Sequence, residues 1–401
     1  MVLLAHPGTQ HSHQLARQLV LHSQLSEFWT GFAIPKESWH ATALKTFLPK
    51  RWYRRIANRF TQGVPAKYLR TMPFVEWKAL RRLRHGMSAH KVFYERNRVF
   101  QEMIPSSSVE KVSTLIGFDT ASWLLAEKAN RLGKPFFLDQ SISHPLFNES
   151  ILREVVRRFS EWREDFEPKP ALMLNAEIQE YNLATKIVAA SYYTRQTLIS
   201  EGVDAGKIVV NPYGVDLLRF HPSDSSRLHR PLRFIFVGSI SARKGVPLLL
   251  EAWKALALKD AELWIVGPIA AHLRPLLPSL PGLKFLGKRP HEELPGLLRQ
   301  GDVFVFPSFC EGFGLVLLEA LASGLPIITT EATAGPDLIS HETEGLLIKS
   351  GDLNALSHAI QFFVDNPDRV RTMSEAARRC AEKYTWEAYG DRWNQLLQDS
   401  L

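Results

Sequence analysis

The chain has 401 residues, 45% of them hydrophobic and 22% charged, the composition of a folded protein long enough for two domains. No apolar run reaches the roughly 18 residues that a membrane span needs. Met1–Ala5 is too short for a signal peptide, and Cys310 and Cys380 stand too far apart for a metal or redox motif, which fits a reducing cytoplasm. The net charge of +8 is uneven: residues 45–98 hold 15 Lys/Arg against two acids, Glu76 and Glu95, so that stretch carries +13 and the remainder −5.

The chain opens as strand, glycine loop, helix: Val2–Ala5, then HPGTQHSH, then a helix from Gln14 to Leu21. This predicts the first βα unit of a Rossmann-like domain. No G-x-G-x-x-G follows the strand, which disfavours a dinucleotide-dependent dehydrogenase. Gly8 lets a ligand approach the loop backbone. His6, His11 and His13 have no acidic ligand beside them, a pattern that favours loop polarity or substrate contact over a metal.

Residues 35–104 interleave the basic excess with aromatics, among them Trp52, Tyr53, Phe74, Trp77 and Phe93, and helices are expected at 48–60 and 74–103. Two readings are open: a solvated basic helix face, and an interfacial surface for anionic lipid headgroups. An acidic polysaccharide is a further candidate partner. No nucleic-acid-reading motif is present, and no nucleic-acid partner is expected.

Strands follow at 113–117 and 135–138 around a helix at 122–131. Asp139-Gln140-Ser141-Ile142-Ser143-His144 stands at the carboxyl end of the second of them, where ligands of open α/β sheets gather. A charged helix at 149–166, a strand at 187–189, a helix at 191–200 and a strand at 208–211 complete the first half. The polar stretch 219–230, with Pro222, reads as a linker. The second half restarts the rhythm with strands at 234–237, 263–266, 284–286, 303–306, 327–329 and 346–348. Its helices fall at 246–258, 352–365 and 368–383, and Trp386, Tyr389, Trp393 and Leu397 mark a last amphipathic helix. The expected architecture is α/β: two Rossmann-like, doubly wound domains, 1–217 and 218–383, facing a cleft, with 384–401 packing back on the first.

The most informative stretch is 302–330, DVFVFPSFCEGFGLVLLEALASGLPIITT. It reads as strand, glycine turn, helix Leu315–Ser323 stopped by Gly324 and Pro326, and strand. The amides near Gly312, Phe313 and Gly314 would point out of the helix N-terminus, where an anion is welcome. Glu311 and Glu319, with seven residues between them, flank that position and can accept hydrogen bonds from hydroxyls. The combination suits a phosphorylated sugar, although for an isolated pair at this spacing the reading as a surface glutamate and a helix-capping one would prevail. Cys310 has no evident partner base and reads as a bystander.

Together with VVNPYGVD (209–216), FVGSISARKG (236–245), Gly345 and Asp352, this stretch resembles retaining family-4 glycosyltransferases of the GT-B fold, best over residues 183–395. The resemblance implies Glu319 on the donor ribose hydroxyls and Glu311 on those of the transferred sugar. It implies Gly312, Phe313, Gly314 and Leu315 at sugar and phosphate, Lys244 on the donor diphosphate, and Gly8 near the same phosphates. Ser239 stands where many members have an arginine, and Arg243 beside Lys244 is the candidate for the missing charge. Many members place a histidine near the reacting carbon; here that position falls on or near Asp139, with His144 five residues on, so both are catalytic candidates alongside Lys244 and Glu311.

The implied activity is transfer of a hexosyl group from a nucleoside-diphosphate sugar to an acceptor hydroxyl with retention. The acceptor is expected to be lipid-linked or a polysaccharide or glycolipid precursor, met on the cytoplasmic side, at the inner face of a membrane. No Asp-x-Asp occurs in the chain, so the leaving diphosphate is expected to be neutralised by Lys244 and Arg243, with no metal and no cofactor beyond the donor. Two other readings stay open: a catalytically silent GT-B carbohydrate-binding subunit and a GT-B sugar-nucleotide epimerase.

Overall fold

The structure, a computed structural model, describes residues 1–9, 11–38, 41–42, 46–47, 49, 59–223 and 231–399. The chain begins with β1 (Val2–His6), α1 (Ser12–Leu21) and β2 (Leu25–Thr30). The short pair β3 (Ile34–Pro35) and β4 (Phe60–Thr61) and the strand β5 (Leu69–Thr71) follow. Three helices come next, α2 (Pro73–Arg84), α3 (Ala89–Glu102) and α4 (Ser106–Glu110). The first half then alternates through β6 (Thr114–Phe118), α5 (Trp123–Arg131), β7 (Phe136–Gln140), α6 (Pro145–Arg158), α7 (Ala171–Leu183), β8 (Lys186–Ala189), α8 (Tyr192–Ser200) and β9 (Ile208–Val210). All seven strands of its main sheet run parallel, in the order β5-β2-β1-β6-β7-β8-β9.

The second half repeats the plan with β10 (Leu232–Val237), α9 (Val246–Leu256), β11 (Ala261–Val266), β12 (Leu283–Gly287), α10 (Leu294–Leu298), β13 (Val303–Phe306), α11 (Leu315–Ala322), β14 (Ile327–Thr330), α12 (Gly335–Leu338), β15 (Gly345–Ile348), α13 (Leu353–Asp365) and α14 (Pro367–Ala381). Its six parallel strands are ordered β12-β11-β10-β13-β14-β15. The central strands are apolar because helices cover both faces: β1 and β13 are buried along their whole length. In each sheet the order reverses beside the first strand, between β1 and β6 and between β10 and β13. Loops leaving the carboxyl ends of those strands open into a crevice, and that is where a ligand of such a sheet is held.

The last helix, α15 (Trp386–Gln398), crosses back to the first domain. Gln24 Nε2 donates to Asn394 Oδ1 at 2.6 Å, Gly390 lies against the Gln18 side chain, and the buried Trp393 stacks on Phe137 at 6.5 Å. The glycine at 390 leaves room for Gln18, since a methyl there would stand 2.6 Å from it.

Three local readings differ from the structure. The segment LSEFWT forms β2, which the sequence does not announce, because Ser26 and Glu27 interrupt its apolar pattern; the Trp29 indole donates to Glu27 at 2.8 Å and lets the carboxylate sit in the strand. The stretch 74–103 is two helices, broken at His85–Ser88, where Gly86 takes φ +78°. The charged helix near 149–166 ends at Arg158 and continues as a 3-10 turn, Ser160–Asp165. Most of the expected helix at 48–60, with Trp52 and Tyr53, lies outside the described residues, as do positions 224–230 of the linker.

Candidate active site

Because β10 and β13 are neighbours, the loop 238–245 and the loop 307–314 run side by side over the switch point. The Phe309 amide donates to the Arg243 carbonyl at 2.9 Å and ties the two loops together. Their side chains then converge. Arg243 Nη1 donates to the Cys310 carbonyl at 2.8 Å and to Glu311 Oε2 at 2.9 Å, and the Lys244 ammonium donates to the same Glu311 oxygen. Lys244 also lies over the Phe306 ring, 4.8 Å from its centre. Burial alone would discharge both ends of this cluster. It draws Lys244 below its ordinary pKa against the opposing pull of Glu311. For Glu311, burial pushes upward, but Arg243 and Lys244 outweigh it and hold the carboxyl below its usual range. The trio therefore keeps one positive charge in excess.

That charge stands at the start of α11. Gly314 is the residue before the helix, with φ +82° and no side chain capping the first turn. The left-handed conformation is one that glycine adopts without strain. The Leu317 amide already donates to the Gly314 carbonyl at 2.8 Å, so it is the N–H groups ahead of it that face the position where an anion is favoured. One turn on, Glu319 Oε1 lies 2.8 Å from His291 Nε2, in the turn His291–Glu293 that follows β12. His291 is a partner the sequence did not single out; its only sequence signal is its place past the carboxyl end of a strand. Ser239 is exposed on the loop after β10.

Gly312 and Phe313 face the first domain. The Gly312 carbonyl accepts from Ser191 Oγ and, at 2.9 Å, from Thr194 Oγ1 at the start of α8. A side chain at Gly312 would begin 1.9 Å from the Ser141 carbonyl and 2.6 Å from Ile142 Cα, so only glycine permits this approach. Phe313 is buried against Tyr213, ring centres 5.1 Å apart, and belongs to the interdomain core. Gly8 turns close to His6, whose Nε2 lies 2.8 Å from where a side chain there would begin. His6 is buried with both ring nitrogens unpartnered among the described residues; burial, then Arg96, keeps it neutral, well below its ordinary pKa.

Asp139 and His144, the two candidates for the reacting carbon, are both buried among aromatic partners. Asp139, at 1% exposure, is enclosed: His11 Nε2 lies 2.9 Å from Oδ1, Tyr389 donates to Oδ2 at 2.9 Å, and Tyr213 reaches Oδ1 at 3.5 Å. His144, at 3% exposure, precedes α6 and turns its ring to Tyr181, 5.2 Å between centres, on a separate cavity of about 280 Å³. Burial and then Lys169 bring its pKa down to about 4. Among the described residues neither contacts Arg243, Lys244, Glu311 or Glu319.

Around them lies a buried network that sequence reading missed. Ser141 Oγ donates to both oxygens of Asp119 at 2.9 Å, and burial lifts Asp119 to about 7 against that bond. Glu180 accepts the amides of Thr120 and Ser122 at 2.9 and 2.6 Å. These groups shape the loops at the first switch point, including the Ser141 carbonyl against which Gly312 rests. Cys310 is buried, donates to Asn148 Oδ1 at 2.8 Å, and is pushed up to about 12 by burial, which removes the thiolate a nucleophile requires.

Between the domains opens a cavity of about 590 Å³, walled by His13, Gln14 and Arg17 of α1, by Thr61 of β4, and by Glu292 and Trp386 from the opposite side. His13 Nε2, Gln14 Oε1 and Thr61 Oγ1 are buried there without partners among the described residues, the condition of a wall prepared for a polar ligand.

Residues 231–366 match the family model described as glycosyl transferases group 1. The chain is 29% identical over 259 residues to a D-inositol 3-phosphate glycosyltransferase of Corynebacterium kroppenstedtii, covering 58% of this chain and 57% of that protein. It is 31% identical over 210 residues to a GDP-mannose-dependent monoacylated alpha-(1-6)-phosphatidylinositol monomannoside mannosyltransferase of Corynebacterium glutamicum, covering 47% and 55%. The matched region thus spans a little over half the length of these curated relatives. The fold is that of GT-B proteins: HepE of Anabaena, solved in complex with UDP and glucose, superposes with a TM-score of 0.65 over 99% of both chains at 15% identity.

Proposed function

We propose that the protein is a glycosyltransferase that moves a sugar from a nucleoside-diphosphate donor to an acceptor hydroxyl, with retention and without a metal ion. The observation that carries this reading is the convergence of Arg243 and Lys244 on Glu311 beside the uncapped start of α11. In the proposed reaction the acceptor oxygen bonds to the anomeric carbon while the bond from that carbon to the diphosphate breaks. The electron pair leaves with the diphosphate, and the acceptor proton passes to it. Charge therefore develops on the leaving phosphate, and fixed cations lower the barrier there. Each charge-assisted hydrogen bond contributes about 1.5–3 kcal/mol, against about 0.3–1 kcal/mol for an exposed helix N-terminus. Lys244 and Arg243 would then turn from Glu311 to the diphosphate, releasing Glu311 for sugar hydroxyls, while Glu319 exchanges His291 for the ribose.

HepE, solved with UDP, and the mannosyltransferase relative, whose name gives GDP-mannose and a phosphatidylinositol mannoside, support a nucleoside-diphosphate sugar as donor and a sugar- or lipid-linked acceptor. The test is to screen UDP, GDP and ADP by thermal shift, then follow nucleotide release from the matching sugar donor with and without EDTA. Release that survives EDTA and disappears in Glu319→Ala supports the proposal; loss with EDTA overturns metal independence. The anomeric coupling of the product, read by NMR, decides retention. A second reading, a catalytically silent carbohydrate-binding subunit, is favoured by one observation: Asp139 is enclosed by His11, Tyr213 and Tyr389, and His144 is buried against Tyr181. Tight donor binding with no turnover would support it.

A further inference from the structure

Helices α2 and α3 follow β5, the edge strand of the first sheet, and pack on each other. The inner side of α2 is conventional: Glu76 and Ala79 are buried, and Glu76 accepts from Arg59 at 2.8 Å and from Arg96 at 3.3 Å. Arg82 is taken up by Glu95, and Arg98 by Glu102. Much of the basic excess in this region is therefore internal. The outer side is not conventional. Phe74, Trp77 and Leu80 are 70%, 52% and 40% exposed, and Phe74 stacks on Trp77 at 5.6 Å. Lys78, Arg81 and Arg84 are exposed among them, and none has an acidic partner among the described residues. Arg81 lies over the Trp77 ring at 5.6 Å.

Exposed aromatics normally shrink from water, and a solvated basic helix has no use for three large apolar groups on its charged face. Aromatic and aliphatic groups level with lysine and arginine match one environment, the boundary between anionic headgroups and acyl chains, where the rings enter and the cations stay at the phosphates.

The position of the pair gives this face a consequence. The Met72 amide, one residue before α2, donates to the Thr30 and Gly31 carbonyls at 3.0 and 2.9 Å, and the Gly31 amide donates to the Pro7 carbonyl at 3.2 Å. The start of α2 is thus joined through two backbone links to the β1–α1 loop that carries Gly8 and leads into α1, whose His13, Gln14 and Arg17 wall the cavity between the domains.

We infer that the outer face of α2, with Phe74, Trp77 and Leu80 as the inserted groups and Lys78, Arg81 and Arg84 as the headgroup contacts, docks the protein on an anionic lipid bilayer. The inference rests on the proposed function only for its purpose, delivery of a lipid-linked acceptor. The contact itself is independent of turnover.

The test is flotation of the full chain with vesicles of phosphatidylglycerol and, separately, of phosphatidylcholine, at low and high salt. The expected result is flotation with phosphatidylglycerol alone, at least tenfold reduced in F74S/W77S/L80S and in K78E/R81E/R84E, with salt releasing the wild type. All six positions are exposed, so both variants should keep the wild-type melting temperature and nucleoside-diphosphate binding, which also separates loss of docking from loss of donor binding. Wild-type protein remaining in the dense fraction with phosphatidylglycerol at low salt overturns the inference. So does retention on an acidic polysaccharide without flotation, or flotation of the apolar-to-serine variant at the wild-type level.

Discussion

Tyr389 donates its phenol to Asp139 at 2.9 Å, across 250 positions of sequence. The bond joins the last helix to the carboxyl end of β7, with Asp139, one of the two sequence candidates for the reacting carbon, as its acceptor. Tyr389→Phe keeps the ring and removes the donor. Unfolding in urea at pH 7 should show a loss of about 1–3 kcal/mol, the cost of leaving a buried oxygen short of a partner. A loss below about 0.5 kcal/mol would mean that His11 and Tyr213 suffice to hold Asp139.

Lys244→Ala should weaken nucleoside-diphosphate binding by about 10–100-fold, since one charge-assisted hydrogen bond of about 1.5–3 kcal/mol is lost. Glu311→Gln acts in the opposite sense on the bare nucleotide. It leaves Arg243 and Lys244 without their counter-charge, so nucleoside-diphosphate affinity should rise while affinity for the sugar nucleotide falls. Titration calorimetry with both ligands reads the two effects separately, and parallel weakening in Glu311→Gln would contradict the exchange of partners proposed for the cations.

Gly312→Ala should be destabilising by about 1–3 kcal/mol, because the new methyl meets the Ser141 carbonyl at 1.9 Å and backbone must move. Gly296→Ala, inside α10 with no atom within 4 Å, is the control and should be neutral or slightly stabilising. Thermal melts of the two variants side by side make the comparison.

The pH dependence has two opposed arms. His144 and His13 titrate at about 4 in the folded protein against 6.5 ordinarily, both chiefly through burial. The unfolded chain therefore binds protons that the folded one refuses. Stability falls as pH drops from about 6.5 towards 4, by up to about 3 kcal/mol for His144. Asp119 shifts the other way, to about 7 from 3.8. Its contribution is complete below about 3.8 and is lost as pH rises through 7. Unfolding free energies from pH 4 to 8 should show a shallower rise of stability between pH 4 and 6.5 in His144→Leu and a steeper rise in Asp119→Asn, whose opposing arm is removed.

The sequence by itself determined the layout of the second domain and the identity of its cleft residues. Apolar β-branched strands, glycine turns and helix stops are local signals, and parallel strands covered on both faces must be apolar throughout, so β10, β13, β14 and β15 were legible. Glu311 and Glu319 stood out by their place around a glycine turn and helix start, while Arg243 and Lys244 were singled out only through the resemblance of their loop to a family motif. The first domain was less legible. Ser26 and Glu27 hid β2, since a polar pair in a strand is tolerated only when a neighbour such as Trp29 satisfies it, and that neighbour is invisible to a periodicity. What only the tertiary structure decided is which groups meet: that Arg243 and Lys244 share one carboxylate oxygen, that Glu319 is held by His291, that Gly312 rests on Ser141, and that Asp139 is enclosed by His11, Tyr213 and Tyr389. These contacts span tens to hundreds of residues. Their energies come from burial and pairing, which depend on distance in space, and no spacing along the chain encodes that distance.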